Sequence, residues 1–157
     1  MLEQQRQSLD QLNTAPADRQ AKIELQRRIN AAVLTGRGWE SIPDSIRIQA
    51  DTPWFQSLLA FDTAKVMEDV RQPLLFVHGQ LDRQVPVEHV DRIADLARKE
   101  SGSKSVSVVT VRGVNHLLVP AQTGEITEYA TLQDRMISME VTTAIADWLT
   151  KTFAAIR

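Results

Sequence analysis

The sequence contains no cysteine, no long apolar segment and no large excess of charge of either sign. The absence of cysteine excludes disulfide bonds, thiolate catalysis and cysteine-ligated metals. Because no apolar run reaches membrane-spanning length and the first residues are polar, we expect neither a membrane partner nor a signal peptide. A net charge of -2 gives no reason to expect nucleic acid as a partner. We therefore expect a cytoplasmic protein, although a periplasmic protein without cysteine would have the same composition.

The composition is that of a soluble globular protein. The chain has 157 residues, of which 43% are hydrophobic and 24% are charged, and this length suits one ordinary domain. We predict a single domain over residues 1–157, with a helical, lid-like segment over 1–50 and an α/β core over 51–157. In the first segment, apolar residues recur at helical spacing in two stretches, before and after the break at residues 13–16. Between residues 39 and 51 the pattern is irregular.

The second part of the chain alternates between strand and helix patterns. Thr52 and Pro53 suit the start of a short helix, since threonine can cap it and proline is tolerated in the first turn. Further on, the patterns predict a strand over 73–78, a helix over 87–100, a strand over 105–111, a loop over 112–131 and a helix from about 133 to 155. A strand, a crossover helix and a second strand indicate a right-handed βαβ unit with parallel strands.

An acid and an imidazole follow the two predicted strands. Asp82 comes after the strand that ends near His78, and His116 comes after the strand that ends near Val111. Ligands of open parallel sheets bind beyond the carboxyl ends of the strands, so both side chains are expected at one rim. A carboxylate behind an imidazole fixes its tautomer and stabilises its charged form. The pattern therefore predicts an acid–base pair.

The same two segments resemble a known family. The stretch from Leu74 to Pro86, which contains Gly79 and Asp82, resembles the acid-bearing segment of α/β-hydrolase-fold enzymes. Gly113-Val114-Asn115-His116 resembles the histidine loop of that fold, and the chain order and spacing of the two also fit. The branch most similar is that of prolyl oligopeptidase and dienelactone hydrolase, over roughly residues 50–155. The resemblance implies that Asp82 is the acid and His116 the general base.

The nucleophile of this family is missing from the sequence. Its serine normally stands in a Gly-x-Ser-x-Gly turn, and no two of the six glycines bracket a serine in that way. The early strands and the oxyanion-hole loop are absent too. We therefore predict an α/β fold of truncated α/β-hydrolase type, with N-terminal lid-like helices and two C-terminal parallel strands flanked by helices. Since a two-stranded sheet is marginal and leaves an open edge, we expect a homo-oligomer, a dimer or larger.

His78 provides one way to replace the missing nucleophile. His78, Asp82 and His116 are a sufficient ligand set for a catalytic zinc ion with one open position. Zinc would lower the pKa of a bound water and so supply a hydroxide. Alternatively, His78 is a strand-end residue that hydrogen-bonds to the backbone, and the sequence has no HExxH spacing.

Three functions remain open at this level. The first is a hydrolase that attacks an activated ester or phosphoester with metal-bound water and needs no organic cofactor. The second is the C-terminal half of a serine hydrolase, active with a partner that brings the serine. The third is a non-catalytic oligomerising remnant. Met1 stands directly before a helical pattern, which favours a complete chain over a cut one.

The loop 112–131 carries three further polar candidates. Glu125, Glu128 and Tyr129 have the chemistry to line a pocket or to supply a metal ligand. Such a segment more often packs around a glycine turn. The simplest expectation is that it seats the histidine loop.

Overall fold

The computed structural model of the chain describes residues 15–103, 105–133 and 135–155. The chain divides into two compact units, Met1–Asp62 and Thr63–Arg157. The helices and strands are α1 (Pro16–Thr35), α2 (Asp44–Ala50), α3 (Pro53–Ala60), α4 (Thr63–Glu68), β1 (Leu74–Gly79), α5 (Val87–Glu100), β2 (Val106–Val111) and α6 (Met139–Ala154). Two 3₁₀ turns lie at Trp39–Ser41 and Ile126–Ala130. The helix predicted before residue 13 falls outside the described residues.

In the first unit, helix α1 follows the predicted apolar stripe. Ile23, Ile29 and Val33 are buried, as their helical spacing indicates. The helix ends at Gly36, whose φ of 71° lies in the left-handed region. Its N–H donates to the carbonyl oxygen of Ala32, so it terminates the helix as glycine commonly does.

The expectation of irregular structure over residues 39–51 is wrong. This segment forms the 3₁₀ turn Trp39–Ser41 and helix α2, which begins directly after Pro43. Trp39 and Ile42 are buried in the core of the first unit, and the Arg47 guanidinium lies 5.5 Å from the centre of the Trp39 ring. A helix of only two turns presents too few apolar positions for its period to be visible in the sequence.

Helix α3 begins as predicted from Thr52 and Pro53. The Thr52 hydroxyl accepts a hydrogen bond from the Phe55 N–H at 3.2 Å, and Pro53 occupies the first turn. Phe55 and Leu59 pack against the core of the first unit. This helix, predicted as part of the C-terminal core, therefore belongs to the first unit.

The second unit contains the predicted pair of parallel strands. Strands β1 and β2 pair from Leu74 opposite Val106 to Gly79 opposite Val111, and helix α5 connects them. Helix α5 buries Val90, Ala94 and Ala97. Among the described residues the sheet has these two strands alone, which agrees with a truncated α/β-hydrolase fold.

The last helix begins later than predicted. Helix α6 starts at Met139 rather than near residue 133, because Ser138 caps it by accepting a hydrogen bond from the Glu140 N–H. Met139 itself is 79% exposed, and Val141 is buried. Val141 packs with Val111 and Val114, so this core seats the loop that carries His116.

No helix in the described ranges is long and apolar enough to cross a membrane.

Candidate active site at the strand ends

A tight loop after β1 holds the Asp82 side chain in place. The Asp82 N–H donates to the Gly79 carbonyl at 3.0 Å. In return, the carboxylate oxygen Oδ1 of Asp82 accepts the backbone N–H groups of Gln84 at 2.9 Å and Val85 at 2.8 Å. An aspartate that bonds to the backbone two and three residues ahead builds the turn that positions it. Oδ1 is therefore occupied by the two backbone hydrogen bonds, and Oδ2 is left to contact an imidazole.

The loop after β2 is shaped by Asn115. The Asn115 Oδ1 atom accepts the N–H of Leu117 at 2.9 Å and that of Val119 at 3.3 Å, so this buried side chain spans the turn that carries His116. Leu118 has a φ of 59°, a conformation that is strained for a non-glycine residue. A strained turn held by a buried amide keeps the intervening His116 in a fixed position.

The structure brings Asp82 and His116 into direct contact. His116 Nδ1 lies 2.9 Å from Asp82 Oδ2, which confirms that the two strand ends deliver them to one rim. The Asp82 side chain is 6% exposed and that of His116 is 38% exposed. Because a carboxylate only accepts, Nδ1 carries the proton, and Nε2 of the neutral ring then presents a lone pair. This is the orientation that a general base needs.

His78 lies on the inner side of the same carboxylate. It is 5% exposed, and its Nε2 donates to the Val85 carbonyl at 2.9 Å and lies 3.5 Å from Asp82 Oδ2. Its Nδ1 is buried without a hydrogen-bond partner. The backbone bond is the alternative that the sequence left open for this residue.

The zinc expectation gains no support from this arrangement. Within the described part of the chain, no group of three or more histidine, aspartate or glutamate side chains is placed to hold a metal ion. Nε2 of His78 and Nδ1 of His116 each carry a proton toward an acceptor, so the lone pair of each ring lies on its other nitrogen. The ligand set of His78, Asp82 and His116 therefore stays a prediction.

Glu128 is the strongest polar feature of the segment after the histidine loop. Its carboxylate accepts the N–H groups of Gln122, Thr123 and Gly124 and the Thr123 hydroxyl, at 2.8 to 3.1 Å. The Gln122 backbone bond, followed by the Thr123 hydroxyl, lowers the pKa of Glu128 from its ordinary 4.5 to about 2. The sequence marks Glu128 as a polar candidate but does not predict these hydrogen bonds. A carboxylate that accepts from earlier residues of its own loop produces no periodic pattern in the sequence.

The other two candidates of this segment contact the acid loop. The Tyr129 hydroxyl accepts a hydrogen bond from Gln84 Nε2 at 2.8 Å. Glu125 has a loose ion pair with Arg83, with 3.9 Å between Glu125 Oε1 and Arg83 Nε. Both contacts agree with a segment that seats the site loops.

Comparison with known proteins agrees with the geometry. No curated protein and no solved structure gave a match to the chain. The model of the prolyl oligopeptidase family, part of the α/β-hydrolase superfamily, matches residues 29–153 and so includes both site loops. The chain belongs to the prolyl oligopeptidase family.

Proposed function

We propose that this chain supplies the acid and the general base of a serine-hydrolase site, Asp82 and His116. The nucleophile would come from residues outside the printed sequence. Family membership suggests a hydrolase of the serine-hydrolase type. The observation that carries the proposal is the 2.9 Å contact between His116 Nδ1 and Asp82 Oδ2, with an exposed ring beyond it. An acid–base pair of this kind acts in the cleavage of an acyl bond, so the proposed substrate is an ester or a peptide.

The proposed chemistry follows from the two ring nitrogens of His116. As a serine hydroxyl attacks the acyl carbon, Nε2 takes the hydroxyl proton, and the ring becomes positively charged. Asp82 stabilises that charge through Nδ1–H. Nε2 then returns the proton to the leaving group as the acyl bond breaks. A water molecule repeats the sequence to release the acid and restore the serine.

Asp82 is suited to this role because its geometry does not depend on His116. Two backbone N–H groups hold Oδ1, so the carboxylate plane is fixed before a substrate arrives. A preorganised carboxylate costs no reorganisation when the imidazolium forms. The low exposure of Asp82 also keeps competing water away from Oδ2.

The test is a fusion that restores the missing serine. The strands and Gly-x-Ser-x-Gly turn that precede the acid strand in another family member would be joined to the N-terminus of this chain. We expect the chain alone to resist fluorophosphonate labelling, and the fusion to be labelled on that serine and to hydrolyse p-nitrophenyl esters. His116→Ala should abolish both activities in the fusion. His89→Gln, which changes a histidine of helix α5, is the matched control.

Two results would contradict the proposal. A folded fusion that remains unlabelled would show that Asp82 and His116 do not activate a serine. Equal labelling of the wild-type and His116→Ala fusions would show the same. If alanine variants of the pair altered only stability, the non-catalytic remnant would be the better interpretation.

Several expectations remain proposals beside this one. They are a metal-bound water acting on an activated ester or phosphoester, a small-molecule ester substrate, a cytoplasmic location and a homo-oligomeric state. The last has some physical support, since β1 is paired along one edge alone within the described residues. Apolar side chains on α6, such as Phe153, are exposed as well.

A further inference from the structure

The ionised Glu128 carboxylate organises a short turn beside the site. Four donors from three consecutive residues, Gln122 to Gly124, converge on its two oxygens. Hydrogen bonds to a charged acceptor are about twice as strong as neutral ones. This group of bonds, which we call the Glu128 clamp, fixes the backbone of the turn. Glu128 is ionised at neutral pH, and its lowered pKa keeps the clamp charged below pH 4.5 as well.

The turn held by the clamp lies directly against the residue before Asp82. Gly124 has a φ of 76°, and a methyl group added to it would overlap the carbonyl group of Leu81. From its other side, Leu81 donates its N–H to the carbonyl oxygen of Val114 in the histidine loop at 2.8 Å. Leu81 is therefore held between the clamped turn and the histidine loop.

A second contact reaches the residues after Asp82. Tyr129, the neighbour of Glu128, accepts a hydrogen bond from the Gln84 side chain, and the Gln84 N–H is one of the two donors to Asp82 Oδ1. Arg83 Nε also donates to the Thr123 carbonyl at 3.4 Å. The segment thus contacts the acid loop on both sides of the aspartate.

We infer that Glu128 is a positioning residue for the Asp82–His116 pair. Its charge fixes the turn at Gln122–Gly124, the turn fixes Leu81, and Leu81 sets where the Asp82 carboxylate meets the imidazole. The inference rests on the proposed function only for what the pair does. The geometric part is a property of the chain alone.

The closing experiment reads the His116 tautomer in the full chain. At about pH 8, where an ordinary imidazole is neutral, two-bond ¹H–¹⁵N NMR correlations distinguish an Nδ1–H ring from an Nε2–H ring. We expect the wild type to hold the Nδ1–H form. In Glu128→Gln, the amide offers one acceptor oxygen instead of two, so the population should shift toward Nε2–H. Glu125→Gln, a neighbouring charge loss outside the clamp, should match the wild type.

A milder variant covers the case in which Glu128→Gln fails to fold. Thr123→Val removes one donor from the clamp, and it should shift the tautomer in the same direction by a smaller amount. In the serine-bearing fusion, Glu128→Gln should lower kcat with little change in KM, by up to about 10²-fold, as small misplacements of reacting groups do.

The outcomes separate the two proposals. A wild-type tautomer ratio in folded Glu128→Gln, or in Thr123→Val, would overturn the positioning role whatever the fusion does. If the wild-type fusion were inactive but Glu128→Gln showed the expected tautomer shift, the proposed function would be refuted and the positioning role of Glu128 would stand. If Glu128→Gln failed to fold and Thr123→Val showed no tautomer shift, Glu128 would contribute to stability alone, and the inference would be refuted.

Discussion

Gly79 and Val114 lie backbone against backbone where strand β1 ends and the histidine loop turns. A side chain at Gly79 would overlap the Val114 carbonyl group, and its Cβ would also come within 2.6 Å of the Asn115 carbonyl oxygen. Asp82 lies three residues after Gly79, and His116 follows Asn115 directly. The absence of a side chain at one position therefore lets the two loops approach each other and brings the acid to the base.

The first prediction follows from that contact. Gly79→Ala should destabilise the protein by about 1–3 kcal/mol, because the methyl group meets backbone that cannot move aside without shifting the loop. Urea unfolding followed by circular dichroism measures this change. Gly102→Ala is the control, since the nearest atoms to its methyl group would be the end of the Arg71 side chain rather than backbone, and it should change stability by less than about 0.5 kcal/mol. Equal stability of the two variants would refute the close approach.

A second prediction separates the two roles of the Asp82 carboxylate. Asp82→Asn keeps an oxygen for the Gln84 and Val85 N–H groups, so its free energy of unfolding should stay near that of the wild type. Asp82→Ala leaves both donors without that acceptor and should cost about 1–3 kcal/mol. In the serine-bearing fusion, however, Asp82→Asn should lower kcat by about 10⁴-fold, because the amide favours the wrong imidazole tautomer.

Comparing the two variants decides whether this division of roles is real. If Asp82→Asn were as unstable as Asp82→Ala, the charge would be needed for folding as well as for the pair. If Asp82→Asn left the fusion fully active, His116 would not depend on Asp82 for its tautomer.

The pairing of Asp82 with His116 could be predicted from the sequence because two general rules place them. Parallel strands end at one edge of a sheet, and an imidazole base needs an acid. The backbone partner of His78 could not be identified from the sequence, since the Asp82 turn is what brings the Val85 carbonyl within hydrogen-bonding distance of His78. Glu128 was visible as a residue but not as a clamp, because its donors lie four to six residues back in an irregular loop.

Helix α6 shows how an apolar pattern can mislead. The helix predicted from about residue 133 includes the apolar residues Met136 and Ile137, yet both are exposed and precede the first turn of α6. The helix begins where Ser138 caps it, and the Ser138 hydroxyl also bonds to the Glu140 carboxylate and lowers the pKa of Glu140. A cap that satisfies the backbone decides the start of a helix more firmly than an apolar residue does.

The third prediction concerns acid stability. The pKa of Glu128 is about 2 in the folded protein and has an ordinary value of 4.5, so the unfolded chain binds the proton more tightly. The stability that Glu128 contributes is therefore fully present above pH 4.5 and is lost as the pH falls toward 2. We expect the difference in unfolding free energy between the wild type and Glu128→Gln to shrink across this range. Urea titrations at several pH values measure it.

Glu125→Gln again serves as the control for the acid series. It removes a carboxylate from the same segment but none of the hydrogen bonds of the clamp, because the Glu125 side chain has only a loose ion pair with Arg83. If the difference in unfolding free energy between the wild type and Glu128→Gln stayed constant or grew on acidification, the charged clamp would be contradicted.

A fourth prediction tests the metal site. If the pair works with a serine, dialysis against a strong chelator should leave both the melting temperature of the chain and the activity of the fusion unchanged. His78→Ala should bind no less zinc than the wild type in equilibrium dialysis. One zinc ion per chain that disappears in both His78→Ala and His116→Ala would instead establish the metal-bound hydroxide, since a catalytic zinc needs its three protein ligands.

The fifth prediction concerns the outer edge of strand β1. The Leu74 N–H donates to the Ser105 carbonyl, so by strand alternation the Leu75 N–H points away from β2. We expect self-association through this edge, and light scattering coupled to size exclusion should give at least twice the mass of one chain. Leu75→Pro removes a donor from the outer edge and keeps the pairing with β2, because proline is tolerated on the free side of an edge strand.

The proline variant makes the test of this edge specific. Leu75→Pro should shift the protein toward the mass of one chain while His116 keeps its Nδ1–H tautomer, since the bonds that hold the pair come from the strand ends and loops. A wild-type protein with the mass of one chain at every concentration would refute self-association. A Leu75→Pro protein that remains an oligomer would move the interface away from β1, and the exposed apolar face of α6 that includes Phe153 would be the next surface to alter.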